Sequence, residues 1–531
     1  MARFFNTAGP CRAEDHYLLP PERRLKGIAP LLEEKAYFVV HAPRQSGKTT
    51  SFQALAKNLT AQGTYAAVLT SCETGRTAGD DVARGVDAVL LAIDQDARQQ
   101  LAEGLRPAPP SRFGAVAPEG RLKEYLTDWA ERCPRPVVLF LDEIDSLSGK
   151  TLLSVLHQLR SGYRTRAEHF PHAVALIGLR DVRDYRLYDP VQEGEAQEAE
   201  PAPVLGTASP FNIKVESLTL ENFAAAEVGE LFDQHTAETG QAFQQEAVQR
   251  AWELTGGQPW LVNALARQVL QATDRSTTVT PRHVEAAKEA LILRRDTHLD
   301  SLTERLRDPR VRRVIEPILA GEFPDQALPE DDIDYVKDLG LITVGPTGLG
   351  IANPIYREVI PRALTSVTEH FLPVDRPRYF SPDGHLRIDL LLEGFVAFWR
   401  EHADAFLGRQ PYHEAAAQLI FMAWLQRVVN GGGFIDREYS AGAGRIDLLV
   451  RWPLPQGGIE RFALELKVWR DGQSDPLDKG LTQLTAYLDR LDLPTGTLLL
   501  FDQRGKAPPL EERISQSEVE REGRRLRVVR L

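Results

Sequence analysis

The chain has 531 residues, of which 26% are charged and 43% hydrophobic, with a formal net charge of −12. That is the composition of a folded globular protein too long for one core, and it gives no overall pull toward nucleic acid, so any DNA contact must come from a local basic patch. No apolar run reaches the roughly 18 residues of a membrane span and the N-terminal stretch has no continuous apolar signal core. Three scattered cysteines, Cys11, Cys72 and Cys133, suggest neither a disulfide framework nor a zinc site, so the expected location is the reducing cytoplasm, away from membranes.

Ahead of the first core strand, residues 1–35 contain His16–Pro21 and the charged run Glu22-Arg23-Arg24. The segment Ala36–His41 is apolar but for its last residue and reads as a buried parallel strand. A short loop follows, and Gly47-Lys48-Thr49 opens a segment with helical spacing of its apolar residues. Strand, loop and helix in this order match the Walker A pattern, with Ala42 where that pattern has its first glycine. Backbone N–H groups at a helix N-terminus cradle phosphate oxygens, aided by the helix dipole. Pro43, Arg44, Gln45, Ser46, Gly47, Lys48, Thr49 and Thr50 are therefore the candidate ATP cradle, Lys48 reaching the β- and γ-phosphates and Thr49 a Mg²⁺ ligand. The bland alternative is a lysine and threonine at the start of an ordinary helix.

A second strand falls at Tyr65–Ser71, helical segments near 81–104 and 119–132, and Val137–Asp145 is an apolar strand ending in two adjacent carboxylates, Asp142 and Glu143. Asp142 is placed to hold the Mg²⁺ shell and Glu143 to orient or deprotonate the attacking water. Acids after a strand also cap helices, but both motifs in order point to an ATP site. Ala173–Gly178 is a further buried strand, and the alternation predicts a parallel sheet covered on both faces. Residues 191–203, acidic and proline-flanked, read as a loop. His16–Arg24 then either folds over the adenine or packs on the sheet as a plain extension.

From residue 218 to 292 the pattern is all-helical, and Gly256-Gly257-Gln258-Pro259 opens one of its helices. This turn resembles the G-x-P element in the lid of STAND-type and origin-initiator-type AAA+ ATPases. The resemblance implies that the lid closes on the nucleotide through Pro259. It also implies that Arg180, at the tip of the strand beside Asp142, senses the γ-phosphate; the alternative is a surface arginine paired with Asp181 or Asp184. Residues 300–365 look like a winged helix, with a recognition-type helix ending at Gly340 and a wing at 343–352. That helix carries Asp332, Asp334 and Asp338 against Lys337, a charge that repels phosphates, so a packing role is expected.

Prolines at 373–382 mark a boundary, and 386–407 is helical. Beyond it, Gly444-Arg445-Ile446-Asp447 begins one strand and Phe462–Val468 forms another. Residues i and i+2 share a strand face, so Glu465 and Lys467 point together toward Asp447. Two carboxylates on neighbouring strands offer an oxygen site for Mg²⁺ or Mn²⁺, and Lys467 can position the attacking water. Gln483 and Tyr487 follow on a helix. G-x-x-D, (D/E)-x-K and Q-x-x-x-Y in this order resemble the PD-(D/E)XK nucleases, most closely the RecB-like branch. That resemblance implies a catalytic set of Asp447, Glu465, Lys467, Gln483 and Tyr487, with Glu414 completing the metal site; Glu438 is either a further ligand or, the favoured reading, a surface acid.

The expected fold is α/β: a P-loop AAA+-type ATPase core (1–215), a helical lid (216–297), a winged helix (298–370), a linker with a bridging helix (371–407) and a PD-(D/E)XK nuclease domain (408–531). The expected function is an ATP-hydrolysing, metal-dependent DNA endonuclease controlled by its ATPase module, able to oligomerise or bind a partner protein. Its resemblance group is associated with mobile elements or defence. The alternative is an ATPase scaffold or regulator whose nuclease fold binds without cutting. A DNA-translocating repair enzyme is disfavoured, since only Walker A and Walker B are present.

Overall fold

A computed structural model describes residues 3–179, 213–294, 302, 304–320, 328–345, 348–371, 376–407, 416–429, 432–441 and 444–531. The chain divides into two compact units, Met1–Ala287 with Lys337–Gly340, and Lys288–Val336 with Leu341–Leu531.

In the first unit β1 (Tyr37–His41) leads into α1 (Lys48–Ala61), and β2 (Ala66–Ser71) into α2 (Val82–Gln100) and α3 (Pro118–Arg132). β3 (Val137–Asp142) precedes α4 (Gly149–Gly162), and β4 (Ala173–Gly178) and β5 (Lys214–Thr219) complete the sheet. The strand order is β2-β3-β4-β1-β5, and every neighbouring pair is parallel. Alternate residues feed two cores. Tyr37 and Val39 pack with Val89, Trp129 and Leu156, whereas Phe38 and Val40 pack with Phe52 of α1. Cover on both faces is why these strands are unbroken apolar runs. Parallel strands also bring their C-terminal ends to one edge, and the loops after β1 and β3 open there.

A helical layer follows: α5 (Ala225–Thr239), α6 (Gln245–Thr255), α7 (Pro259–Ala272) and α8 (Pro281–Arg294). Gly257, between α6 and α7, has φ +68°, and a Cβ there would fall 1.9 Å from the Phe223 carbonyl oxygen, so the tight turn requires glycine. Gln258 caps α7, its side chain accepting from Leu261 N at 2.6 Å. The N-terminal arm packs on this layer: Phe5 meets Phe232 edge-on, Tyr17 Oη lies 3.1 Å from His235 Nδ1, and Arg3 pairs with Glu238 at 3.0 Å.

The second unit, which starts at Lys288 within α8, continues with α9 (Pro309–Ala320), α10 (Glu330–Asp338, as far as Val336) and the antiparallel pair β6 (Ile342–Gly345) and β7 (Gly348–Ile351). Asp332 does not face outward with Glu330, Asp331 and Asp334 of α10. It is buried and pairs with Arg310 at 2.7 Å and with Arg313. Then come α11 (Pro354–Phe371), α12 (Ile388–Leu407) and α13 (Ala416–Val429).

A six-stranded sheet closes this unit: β8 (Phe434–Ala441), β9 (Gly444–Pro453), β10 (Ile459–Trp469), β11 (Thr495–Asp502), β12 (Ser515–Arg521) and β13 (Arg524–Arg530), with α14 (Leu477–Leu491) between β10 and β11. Its order is β12-β13-β11-β10-β9-β8, parallel at β10/β11 and β11/β13 and antiparallel elsewhere. Leu464, Leu466 and Val468 pack with α12 and α13, while Ala463 and Leu498 pack with α14. Glu465 and Lys467, at the odd positions of β10, therefore lie on the α14 face. Among the described residues no helix is long and apolar enough to cross a membrane.

Candidate active sites

At the C-terminal edge of the parallel sheet lies a cavity of about 420 Å³. Arg44, Gln45, Gly47, Lys48, Thr49, Thr50, Asp142, Glu143 and Pro259, all candidates from the sequence, line it. Ser46 is buried beneath the loop, and Pro43 contributes its carbonyl to Lys48. Arg180 and the 191–203 loop lie outside the described residues.

Lys48 Nζ donates to the carbonyl oxygens of Ala42 at 2.5 Å and Pro43 at 2.9 Å. Burial draws its ammonium down to about 8, against the pull of Asp142. A desolvated cation bonded only to neutral acceptors at a helix N-terminus is suited to an anion, and a phosphate fits that demand. Thr49 Oγ1 donates to Asp142 Oδ2 at 2.6 Å, so a hydroxyl and a carboxylate already touch where a hard cation would be held. Glu143 sits at φ +53°, a conformation uncommon for a residue with a side chain, and accepts a 2.7 Å hydrogen bond from Ser71 Oγ. Burial raises the Asp142 and Glu143 carboxyls above their ordinary range, opposed by the hydroxyls of Thr49 and Ser71.

Three features in or beside this cavity lie outside the Walker A and Walker B motifs. The arm Asn6–Cys11 lines it, with the Thr7 carbonyl bonded to Trp260 Nε1 at 2.9 Å and Cys11 N to Thr50 Oγ1 at 3.0 Å. The arm thus reaches the cavity through residues 6–11, while His16 and Tyr17 pack against Phe4 and His235. Arg24 braces the phosphate loop, donating to the carbonyls of Ser46 at 2.7 Å and Glu221 at 2.6 Å. Ser71, the third, was readable in principle as the polar end of an apolar strand.

Residues 32–185 match a family model described as an AAA domain. With the strand order, the loop and the paired acids, this part of the chain is an AAA-type P-loop ATPase domain, with ATP as its nucleotide and Mg²⁺ as the usual companion ion. Among solved structures the chain is similar to a Walker-type ATPase of Pyrococcus abyssi at 15% identity, covering 67% of this chain and 99% of that one, TM-score 0.45. It is also similar to the RuvB Holliday junction branch migration motor of Thermotoga maritima (16%, covering 64% and 94%, TM-score 0.33) and to Cdc6p of Pyrobaculum aerophilum (12%, covering 65% and 94%, TM-score 0.35). No curated protein matches the chain.

The second site lies on the six-stranded sheet. The antiparallel register Leu464↔Leu448 carries on to set Asp447 beside Glu465. Asp447 Oδ2 accepts from Leu466 N at 2.8 Å and lies 3.9 Å from Lys467 Nζ, which donates to Glu465 Oε1 at 2.7 Å. Glu465 is 1% exposed and its Oε2 has no hydrogen-bond partner. Burial, then the Asp447 charge, drive its carboxyl well above the ordinary glutamate value. Burial pulls Lys467 the other way, but Asp447 and Glu465 outweigh it, so its ammonium is held more tightly than usual. Gln483 Oε1, on α14, is likewise buried without a partner, and Tyr487 is 7% exposed on the same helix. Gly480 lets α14 approach: a Cβ there would meet Leu498 at 2.8 Å and Lys467 Cγ at 3.3 Å. Glu414 lies outside the described residues, as does the side chain of Glu438, and among the described residues no three acids, histidines or cysteines gather around one point.

Proposed function

We propose that the chain is an ATP-controlled, metal-dependent DNA endonuclease, the second unit cutting and the ATPase domain deciding when. The observation that carries this reading is the unsatisfied Glu465 Oε2, buried beside a second carboxylate and a lysine. A buried carboxylate oxygen without a donor is costly, and a divalent cation shared with Asp447 removes that cost. Such an ion supplies charge neutralisation at phosphorus and a more acidic bound water.

The chain's own groups do the rest. Asp447 and Glu465 would hold the cation, and Lys467, released from Glu465, would orient the nucleophile toward phosphorus. The Gln483 oxygen accepts from substrate or water at the same edge, and Tyr487 walls the site. In the ATPase domain Glu143 leaves Ser71 to take the proton of the attacking water.

A second reading is favoured by the 2.7 Å Lys467–Glu465 pair, which neutralises itself: a nuclease fold that binds a strand or a partner without cutting. Incubating plasmid with Mg²⁺ or Mn²⁺, with and without ATP, separates them. Nicking that needs metal and responds to ATP supports the endonuclease, and intact plasmid under every condition leaves the scaffold.

A further inference from the structure

The face of β10 that carries Glu465 and Lys467 continues to Trp469, about 6.5 Å further along the strand. Parallel pairing sets Asp502 beside Trp469 and Arg530 beside Leu500, so these side chains share that face. The Arg504 guanidinium carbon lies 3.4 Å from the Trp469 ring centroid and that of Arg530 5.9 Å away. Trp469 Nε1 donates to the Gln473 carbonyl at 3.0 Å, which fixes the ring. Asp502 pins Arg504 through Nε at 2.8 Å and Nη2 at 2.7 Å, and Asp475 holds Arg530 through Nη2 at 2.7 Å. Those bonds leave Nη1 of both guanidiniums to other acceptors, and all three side chains are partly open to solvent.

We propose that Trp469, Arg504 and Arg530 form a ledge that binds an unpaired DNA strand next to the Asp447–Glu465–Lys467 centre. The ledge rests on the endonuclease reading and sharpens its substrate to DNA with a single-stranded stretch at the cut. A base has a π-face that extends an indole–guanidinium stack, and only an unpaired base has that face free. A fixed guanidinium with an open N–H edge takes a phosphate oxygen at little entropic cost. On a chain of net charge −12, cations locked in place at one edge matter more than composition does.

The test measures binding apart from cutting. Fluorescence anisotropy of labelled oligo-dT, its duplex with oligo-dA, and oligo-rU is recorded with the full-length protein in EDTA, and cleavage is measured separately in Mn²⁺. Oligo-dT should bind more tightly than the duplex, and Trp469→Ala should weaken it about tenfold. Trp469→Phe should recover most of that loss, and Arg530→Gln should flatten the salt dependence of binding relative to wild type. ATP hydrolysis and the melting temperature should hold in each variant. Oligo-dT affinity unchanged in Trp469→Ala and Arg530→Gln, or absent in wild type, overturns the ledge and makes the stack a closure of the sheet edge. Tighter binding of oligo-rU moves the ledge to RNA and overturns the DNA assignment. If the ledge variants lose oligo-dT while wild type cuts nothing in Mn²⁺, the ledge stands and the endonuclease reading falls.

Discussion

Each unit builds a site from a lysine among carboxylates, and the two lysines are tuned in opposite directions. Lys48 bonds to two neutral carbonyls, and burial lowers its ammonium to about 8. Lys467 is bonded to Glu465 and faces Asp447, and those acids raise it. The first is a desolvated cation hydrogen-bonded to carbonyls and to no anion, the state expected of a site that gains its counter-charge when phosphate arrives. The second is already neutralised, and the group left wanting is the buried Glu465 oxygen. On the reading proposed above, similar residue types would thus make an anion site in one unit and a cation site in the other. The deciding variable is which partner the fold leaves unsatisfied.

The largest expected effects erase each site in turn. Glu143→Gln should cut ATP turnover by about 10²- to 10⁴-fold, the usual worth of a general base, while ATP still binds. Phosphate release and equilibrium binding check this together, and unimpaired turnover would remove Glu143 from its role. Asp447→Ala or Lys467→Ala should lower plasmid nicking by about 10²- to 10³-fold, comparable to losing one transition-state contact, with phosphate release unaltered. Nicking at the wild-type rate in both variants would leave the scaffold reading.

The opposite tuning of the lysines can be tested by pH. A free-protein Lys48 near 8 means that ATP affinity is full below that pH. It should fall as pH rises through it, toward tenfold per unit, because binding must then take up a proton. Titration calorimetry at pH 8.5 or so in two buffers of different ionisation heat would read that uptake directly, and a pH-independent affinity would refute it. Smaller still is Arg24→Ala, which removes one hydrogen bond to the Ser46 carbonyl of the phosphate loop and one to the Glu221 carbonyl, both from outside the cavity. Charged hydrogen bonds contribute about 1.5–3 kcal/mol each, much of it compensated by water here, so ATP binding should weaken only several-fold.

What the sequence reveals and what it hides follow from how local each feature is. β1, β3 and their loops are readable because buried parallel strands are continuous apolar runs that end in a fixed phosphate-binding pattern. The Glu465/Lys467 pair is readable because a strand has period two. β5, KVESLT, has no such run and is an edge strand of its sheet, so it escapes. The N-terminal arm escapes for another reason: its contacts, such as Tyr17 with His235 and Thr7 with Trp260, join segments more than two hundred residues apart in sequence. Asp332 shows the limit of counting charges, since its acid is neutralised by Arg310 and Arg313 from a different helix.

The smallest effect sharpens the comparison most, because it reads the unsatisfied carboxylate without any ligand. Glu465 has a folded-state carboxyl raised by burial and by Asp447, against an ordinary value of 4.5. A raised carboxyl is worth most to the fold when protonated in both states, below that ordinary value. As pH climbs from about 4.5 toward the folded value, the unfolded chain gives up the proton first, so stability declines across that window and then levels. Lys467 does not confuse the reading, since a raised lysine loses its contribution only above its ordinary 10.5. Glu465→Gln keeps the shape and removes the ionisation. In EDTA it should therefore melt like wild type near pH 4.5 and gain on it as pH rises, by roughly 1–3 °C at neutrality. Added Mn²⁺ should then raise the wild-type transition and leave Glu465→Gln nearly unmoved, reversing their order. A wild-type protein that melts above Glu465→Gln at neutral pH in EDTA would mean that Lys467 fully neutralises the pair. The second site would then have no vacancy for a cation.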